Sequence, residues 1–206
     1  MAEDAPRDHP ARERWNERFA SAGAAPRQDA PSEWLVENEA LLRELPGDDL
    51  RALDVAAGNG RNALYLAALG FEVDAVDISD IAVDQLLAAA GERGLAVHGQ
   101  VLNLDNTAPP DGPYDVVVNM NYLQRDLFGA LAASLKPGGL LLFETFAPVH
   151  IEQLGHRVNP DYVLQGNELL RAFAALHVRR YSEGVAERSG RPRGVASLVA
   201  QRPAKA

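Results

Sequence analysis

The chain has 206 residues, no cysteine, 29 Asp and Glu against 20 Lys and Arg, and a formal charge of −9. That length suits one single-core domain, and the lack of cysteine excludes disulfides, thiolate metal sites and a cysteine nucleophile. The acidic balance argues against nucleic acid as partner, because gripping phosphates needs a basic face, and no run of about 18 apolar residues is present to cross a membrane.

Residues 1–12 are polar, with Pro6 and Pro10, and read as a disordered tail. They lack the apolar centre of a signal peptide, so the cytoplasm is the expected address. Residues 13–206 read as a single domain whose segment 13–45 forms an N-terminal helical cap. Trp15 and Phe19 share one face of a short helix expected over 11–20. Ala, Gly and Pro with charges make Ser21–Pro31 a loop. Ser32 is expected to cap a helix running to Leu45, with Leu35, Val36, Ala40, Leu41 and Leu42 on the buried face and Pro46-Gly47 as its stop.

The chain then alternates. Strands are expected at 51–56, 71–76, 97–102, 114–119 and 140–146. The helices between them are placed at 61–69, 79 or 80 to 93, and 124–135. Lys136-Pro137-Gly138-Gly139 is expected as the turn into the strand at 140. Alternation of this kind builds a parallel sheet covered on both faces, and Val116-Val117-Val118 is apolar on both sides as a doubly covered strand must be. After a helix over 167–176, strands at 177–184 and 194–201 are joined too tightly for a crossover helix and must be antiparallel. The fold class is therefore α/β: a Rossmann-like, doubly wound, mostly parallel seven-stranded sheet with an antiparallel last strand pair. Arg188, Arg191 and Arg193 read as a solvated hairpin tip.

The segment from Leu53 to Ser79 carries the clearest chemistry. A strand leads into Gly58-Asn59-Gly60, where the missing side chains let a ligand lie against backbone. The next helix offers free N–H groups and partial positive charge. Asp77 ends the second strand, where a carboxylate can accept both hydroxyls of a ribose. A G-x-G-x-x-A string alone is weak, since nicotinamide-binding folds share it.

The combination resembles motifs I and II of the class I S-adenosylmethionine-dependent methyltransferases. Asp54 stands where that family has the acid of D-x-x-x-G-x-G, Lys136–Leu140 resembles its turn before strand five, and the antiparallel ending matches its last strand pair. Within the family, Trp15–Phe19, Gly60-Arg61-Asn62-Ala63, Glu144–Pro148 and Asn167–Leu170 are similar to the tellurite-resistance methyltransferase-like group, a likeness that does not make tellurite the substrate.

The resemblance implies S-adenosylmethionine as cofactor. Ala56, Gly58 and Gly60 would pass under its methionine part, with Asn62 near that end. Asp77 would hold the ribose and Ile78 would pack on the adenine. Asn103, beside Leu104, stands where the family often has an acid for the adenine amine, with Asp105 as the alternative. Asn119 would face the transfer region, or else serve only as a polar strand cap. The implied partner is a small-molecule methyl acceptor, with no nucleic acid, no membrane and no protein-held metal, in a monomer or homodimer. No residue stands out as a base. Tyr122, Arg125, Glu144, His150 and Tyr162 are the candidates near the rim, each with a plain structural reading as packing, surface charge or loop. The competing readings are a methyltransferase fold that binds cofactor without turnover, and a nicotinamide-dependent oxidoreductase.

Overall fold

The computed structural model describes residues 9–21 and 30–204. Most of the expected tail and the greater part of the loop expected after Ser21 lie outside the described residues. The first helix, α1, runs over Pro10–Ser21, one residue beyond the helix expected over 11–20 at each end.

The expected cap helix from Ser32 to Leu45 is two short helices, α2 (Glu33–Val36) and α3 (Glu39–Arg43). The break falls at Asn38, a buried residue whose carboxamide donates to the Trp34 carbonyl at 2.7 Å. A short polar side chain that satisfies a helix carbonyl competes with the backbone for it. Ser32 stands at the N-cap position, but its hydroxyl caps nothing. Its backbone N–H donates instead to Asn62 Oδ1 at 2.9 Å.

Seven strands follow: β1 (Arg51–Val55), β2 (Glu72–Asp77), β3 (Val97–Val101), β4 (Tyr114–Met120), β5 (Leu135–Phe146), β6 (His177–Arg188) and β7 (Arg191–Gln201). Their order in the sheet is β3-β2-β1-β4-β5-β7-β6. The first five are parallel, and β7 runs antiparallel to both β5 and β6. Helices α4 (Arg61–Ala68), α5 (Asp80–Arg93) and α6 (Phe128–Ala133) connect the parallel strands. The expected α/β doubly wound sheet is the observed one.

Alternation along the strands divides the core. Ala52, Val116 and Val118 pack with Leu35, Leu66 and Leu86 on one face. Leu53, Val55 and Val117 pack on the other with Phe143 and Phe173, whose rings meet that of Phe128. β4 is buried at every position, as a central parallel strand must be.

Two boundaries differ from expectation. The helix expected over 124–135 is a 3-10 turn (Arg125–Leu127) followed by α6, and β5 starts at Leu135 rather than at 140. Lys136-Pro137-Gly138-Gly139 stays within the sheet as an irregular stretch opposite the shifted register of Tyr114 and Val116. There Gly138 N–H donates to Arg202 O, and Arg202 N–H to Gly139 O, each at 2.9 Å. A short helix not expected from the sequence, α7 (Val149–Glu152), follows β5, and the helix expected over 167–176 is shorter, α8 (Glu168–Ala172). Strands β6 and β7 extend to a two-residue turn, Ser189-Gly190, with φ of 52° and 68°, the mirror-image turn that suits twisted hairpins. Among the described residues no helix is long and apolar enough to cross a membrane.

Candidate active site

The carboxyl ends of β1 to β5 open on one cavity of about 450 Å³, the place where open parallel sheets bind ligands. One half is made of local backbone. After β1 the chain turns through Ala56 (φ 53°), Gly58 (φ 58°) and Gly60 (φ 86°). Ala57 N–H donates to Val76 O at 2.9 Å, which keeps the turn on the sheet. Asp77, at the end of β2, accepts from Gly58 N–H at 2.8 Å on one oxygen and from Ser79 N–H at 2.9 Å on the other. Ser79 then caps α5 by accepting from Ala82 N–H at 3.1 Å. Each Asp77 oxygen keeps a lone pair, and the residue lines the cavity beside Ile78, Asn103 and Leu104.

The other half is made of distant side chains. Glu144 on β5 is 4% exposed. Arg188, at the hairpin tip, donates to it through Nε at 3.0 Å and through a terminal nitrogen at 2.8 Å. Ser197 Oγ donates to the same carboxylate at 2.6 Å. Arg188 also pairs with Glu37 at 3.2 Å, and Ser189 N–H donates to Glu33 Oε1, so the hairpin tip clasps α2. Arg188 is thus no solvated tip residue: burying the Glu144 carboxylate requires a cation, and the hairpin supplies it.

Arg61 and Arg193 line the same half. Arg193 lies over the Phe146 ring, 5.8 Å from its centroid. Among the described residues no carboxylate is in salt-bridge contact with either arginine. Arg61 lies within electrostatic range of Asp54, Glu33, Arg193 and Glu144.

The expected cofactor residues divide accordingly. Ala56, Gly58, Asn62, Asp77, Ile78, Asn103 and Leu104 line the cavity. Gly60 does not: a Cβ there would stand 2.0 Å from Leu86 Cδ1, so this glycine lets α5 pack on the turn. Asn119 does not either. It is a polar strand cap, buried, with its carboxamide donating to Tyr122 O at 2.8 Å. Asn103 Oδ1 accepts from Asp105 N–H at 3.0 Å, and Asp105 lines the cavity beside it.

The base candidates divide too. Tyr122, Glu144 and Tyr162 line the cavity, whereas Arg125 and His150 do not. Arg125 pairs with Glu168 at 2.7 Å and donates to the carbonyls of Asp161 and Val163, which ties down the loop before α8. His150 is 5% exposed rather than a surface histidine. Its Nδ1 accepts from Gly194 N–H at 3.0 Å, and its ring stacks between Phe146 and His156. Burial, then His156 and Arg193, lower its pKa.

Burial also sets the other titrating groups. Asp54, fully enclosed below the glycine turn, is pushed up to about 7, chiefly by loss of water; the Ala63 N–H and Arg61 pull the other way. Its Oδ2 makes no hydrogen bond. Asp77 is raised by burial against the N–H groups of Ser79, Gly58 and Ile78. The Tyr122 phenol is raised by burial and by Asp105 and Asp77, so it stays neutral. Burial pulls the Arg61 pKa down, with Asp54 and Glu33 opposing.

Sequence reasoning missed Glu33, Arg61, Arg188 and Arg193 as cavity residues. Arg61 was in view, inside the Gly60-Arg61-Asn62-Ala63 string. The other three come from chain separations of 44 to 156 residues, for which no local pattern exists.

A family model described as a methyltransferase domain matches residues 11–183. A ubiquinone biosynthesis O-methyltransferase of a Caulobacter species is 29% identical over 126 residues, 58% of this chain and 50% of that one. The chain thus spans about half the length of such curated relatives. Among solved structures, TehB from Haemophilus influenzae shares 17% identity at a TM-score of 0.70, covering 91% of this chain and 67% of that one. A geranyl diphosphate C-methyltransferase from Streptomyces coelicolor, solved with Mg2+, geranyl diphosphate and S-adenosyl-L-homocysteine, shares 16% at a TM-score of 0.67, covering 96% and 99%. At these identities both likenesses are likenesses of fold.

Proposed function

This chain belongs to the class I S-adenosylmethionine-dependent methyltransferases, and from that premise we propose that it methylates a small-molecule acceptor bearing a polar or anionic group. The observation that carries the reading is one cavity lined both by Asp77 and by Arg61 and Arg193. The residues fit the cofactor. Asp77 offers two outward lone pairs to a ribose diol, Ile78 and Leu104 offer an apolar slot for a purine, and Asn103 or Asp105 lies within that slot's wall.

The cofactor, when bound, supplies an electrophilic methyl group on a sulfonium. The chain has to align the acceptor with it and exclude water, and such positioning is worth on the order of 7–11 kcal/mol. Of the candidate bases that line the cavity, neither Glu144 nor Tyr122 is poised to take a proton from the acceptor. Both Glu144 oxygens are held by Arg188, one of them also by Ser197. Tyr122 is a neutral phenol, able to donate but not to accept a proton. The arrangement suits an acceptor atom that arrives with a free lone pair, its charge drawn by Arg61 and Arg193. The proposed setting is the cytoplasm, with no nucleic-acid partner.

The test is calorimetric titration of the protein with S-adenosylmethionine, beside an Asp77→Ala variant. Micromolar binding that weakens tenfold or more in the variant, about 1.4 kcal/mol, is expected. No binding by the folded wild-type chain would sink the proposal. Formation of S-adenosylhomocysteine across a panel of phenol, thiol, amine and oxyanion acceptors then separates an enzyme from a module that only binds.

A further inference from the structure

Helix α1 covers the cavity yet buries none of its residues. Ala11, Trp15 and Phe19 are half-buried and line the cavity, with Arg14 and Arg18 beside them. The Phe19 ring lies against the Gly58 backbone, its Cζ 3.1 Å from where a Cβ would stand. A 12-residue helix is marginal alone in water, so its place depends on what holds it.

Beside a hydrogen bond from Gln85 Nε2 to Phe19 O at 3.4 Å, a continuous hydrogen-bonded chain holds it. Arg12 pairs with Asp80 Oδ2 at 2.7 Å. Asp80 Oδ1 accepts from Asn16 Nδ2 at 2.5 Å. Asn16 Oδ1 accepts from Ser79 Oγ at 2.6 Å. Ser79 N–H donates to Asp77 Oδ1 at 2.9 Å. Ser79 is fully enclosed, so its hydroxyl has no water to turn to. Asn16 bonds both Ser79 and Asp80, and through Ser79 it is two hydrogen bonds from the carboxylate assigned to the ribose.

We propose that Asn16 is a positioning residue that couples occupancy of Asp77 to the seating of α1 over the cavity. It rests on the cofactor reading above. A ligand that fixes Asp77 fixes Ser79, and Ser79 presents its hydroxyl to Asn16. By linkage, α1 seated through Asn16 strengthens the ligand's hold to the same degree. The covering helix then closes on the loaded site and opens when the site empties, which places water exclusion under control of the cofactor rather than of the acceptor.

The experiment is limited trypsin digestion, cutting after Arg12, Arg14 and Arg18, with and without saturating S-adenosylhomocysteine, on wild type and Asn16→Ala. Alanine is the better helix former, so loss of protection in the variant is not loss of helix. In the wild type, S-adenosylhomocysteine slows these cuts at least tenfold. In Asn16→Ala it still binds, because Asp77 is untouched, but protection falls below threefold and its dissociation rate in stopped flow rises at least fivefold. Asn16→Asp, which keeps the acceptor for Ser79 but sets a carboxylate against Asp80, falls between the two. Binding to the wild type without protection of α1, or equal protection in Asn16→Ala, overturns the proposal and leaves the cofactor reading standing. No binding to the wild type sinks the cofactor reading and this coupling with it.

Discussion

The two halves of the cavity are built in opposite ways. The half around Asp77 is backbone and near neighbours: Gly58, Asp77 and Ser79 lie within 21 residues of one another along the chain, and Asp77 is held by main-chain N–H groups. The half around Glu144 is side chains brought from α2, β5, β6 and β7, with Arg188 reaching across 44 residues to Glu144 and 151 to Glu37. The first depends on chain conformation, which a short string of residue types determines. The second depends on charge compensation, which only the folded sheet can arrange. They should therefore respond differently to substitution: loss of a group in the first half weakens a ligand, whereas loss of a group in the second weakens the fold.

The largest effect expected from this contrast is that of Arg188→Ala. It leaves the Glu144 carboxylate buried, with Ser197 as its remaining hydrogen-bond partner among the described residues, and removing one member of a buried pair costs about 3–5 kcal/mol. Urea unfolding followed by circular dichroism should show that loss in the midpoint at unchanged slope. A loss within about 0.5 kcal/mol would mean that water replaces Arg188 and that the acceptor half is as locally supported as the other. Exchanging both partners, Arg188→Met with Glu144→Leu, should recover much of the loss, since neither buried charge then remains.

The next effect belongs to the cofactor half and reads through pH. Asp54 is pushed up to about 7 by burial, above the ordinary carboxylate value of the unfolded chain. The folded state therefore holds a proton that the unfolded state has lost, and Asp54 contributes stability that is complete below about pH 4 and disappears as pH rises through 7. Integrated between pH 5 and 8 the change is roughly 2–3 kcal/mol. Thermal melts of the wild type should fall across that window, and Asp54→Asn should flatten much of the decline; Asp77, also raised, leaves a residual slope of the same sign. An equal slope in the variant would place the buried proton elsewhere.

The same contrast explains what was legible beforehand. The alternation of strand and helix, the glycine turn, the place of Asp77 and the helix cap at Ser79 follow from residue patterns no longer than one strand-turn-helix unit, and they stand where the sequence puts them. Gly60 was assigned to the ligand because its residue type satisfies two demands equally, close approach of a ligand and close approach of a helix. Only the 2.0 Å to Leu86 separates them. Asn119 was ambiguous in the same way until Tyr122 O appeared as its acceptor. The helix expected to run from Ser32 to Leu45 failed at Asn38, where tertiary burial turns a side chain onto Trp34 O. Arg188 of the hairpin tip was misread, though the exposed Arg191 was not, because exposure follows from a turn's composition only when nothing buried nearby needs a cation.

Arg125 supplies the smallest expected effect, and it marks where the acceptor half ends. Residue type and position made it a candidate at the rim, yet its guanidinium is engaged by Glu168 and two loop carbonyls outside the cavity. Its side chain is 41% exposed, so the ion pair itself is screened and contributes about 0–1 kcal/mol. Arg125→Ala should accordingly cost no more than about 1 kcal/mol in urea unfolding and leave S-adenosylmethionine affinity within twofold. Arg193→Ala, at a residue with no carboxylate partner among those described, should leave stability just as intact. If the acceptor half works by field rather than by fold at this one place, the two arginines separate only when an acceptor is present. With any acceptor that turns over, Arg193→Ala raises KM and Arg125→Ala does not, and the reverse result would move the acceptor to the α8 side of the cavity mouth.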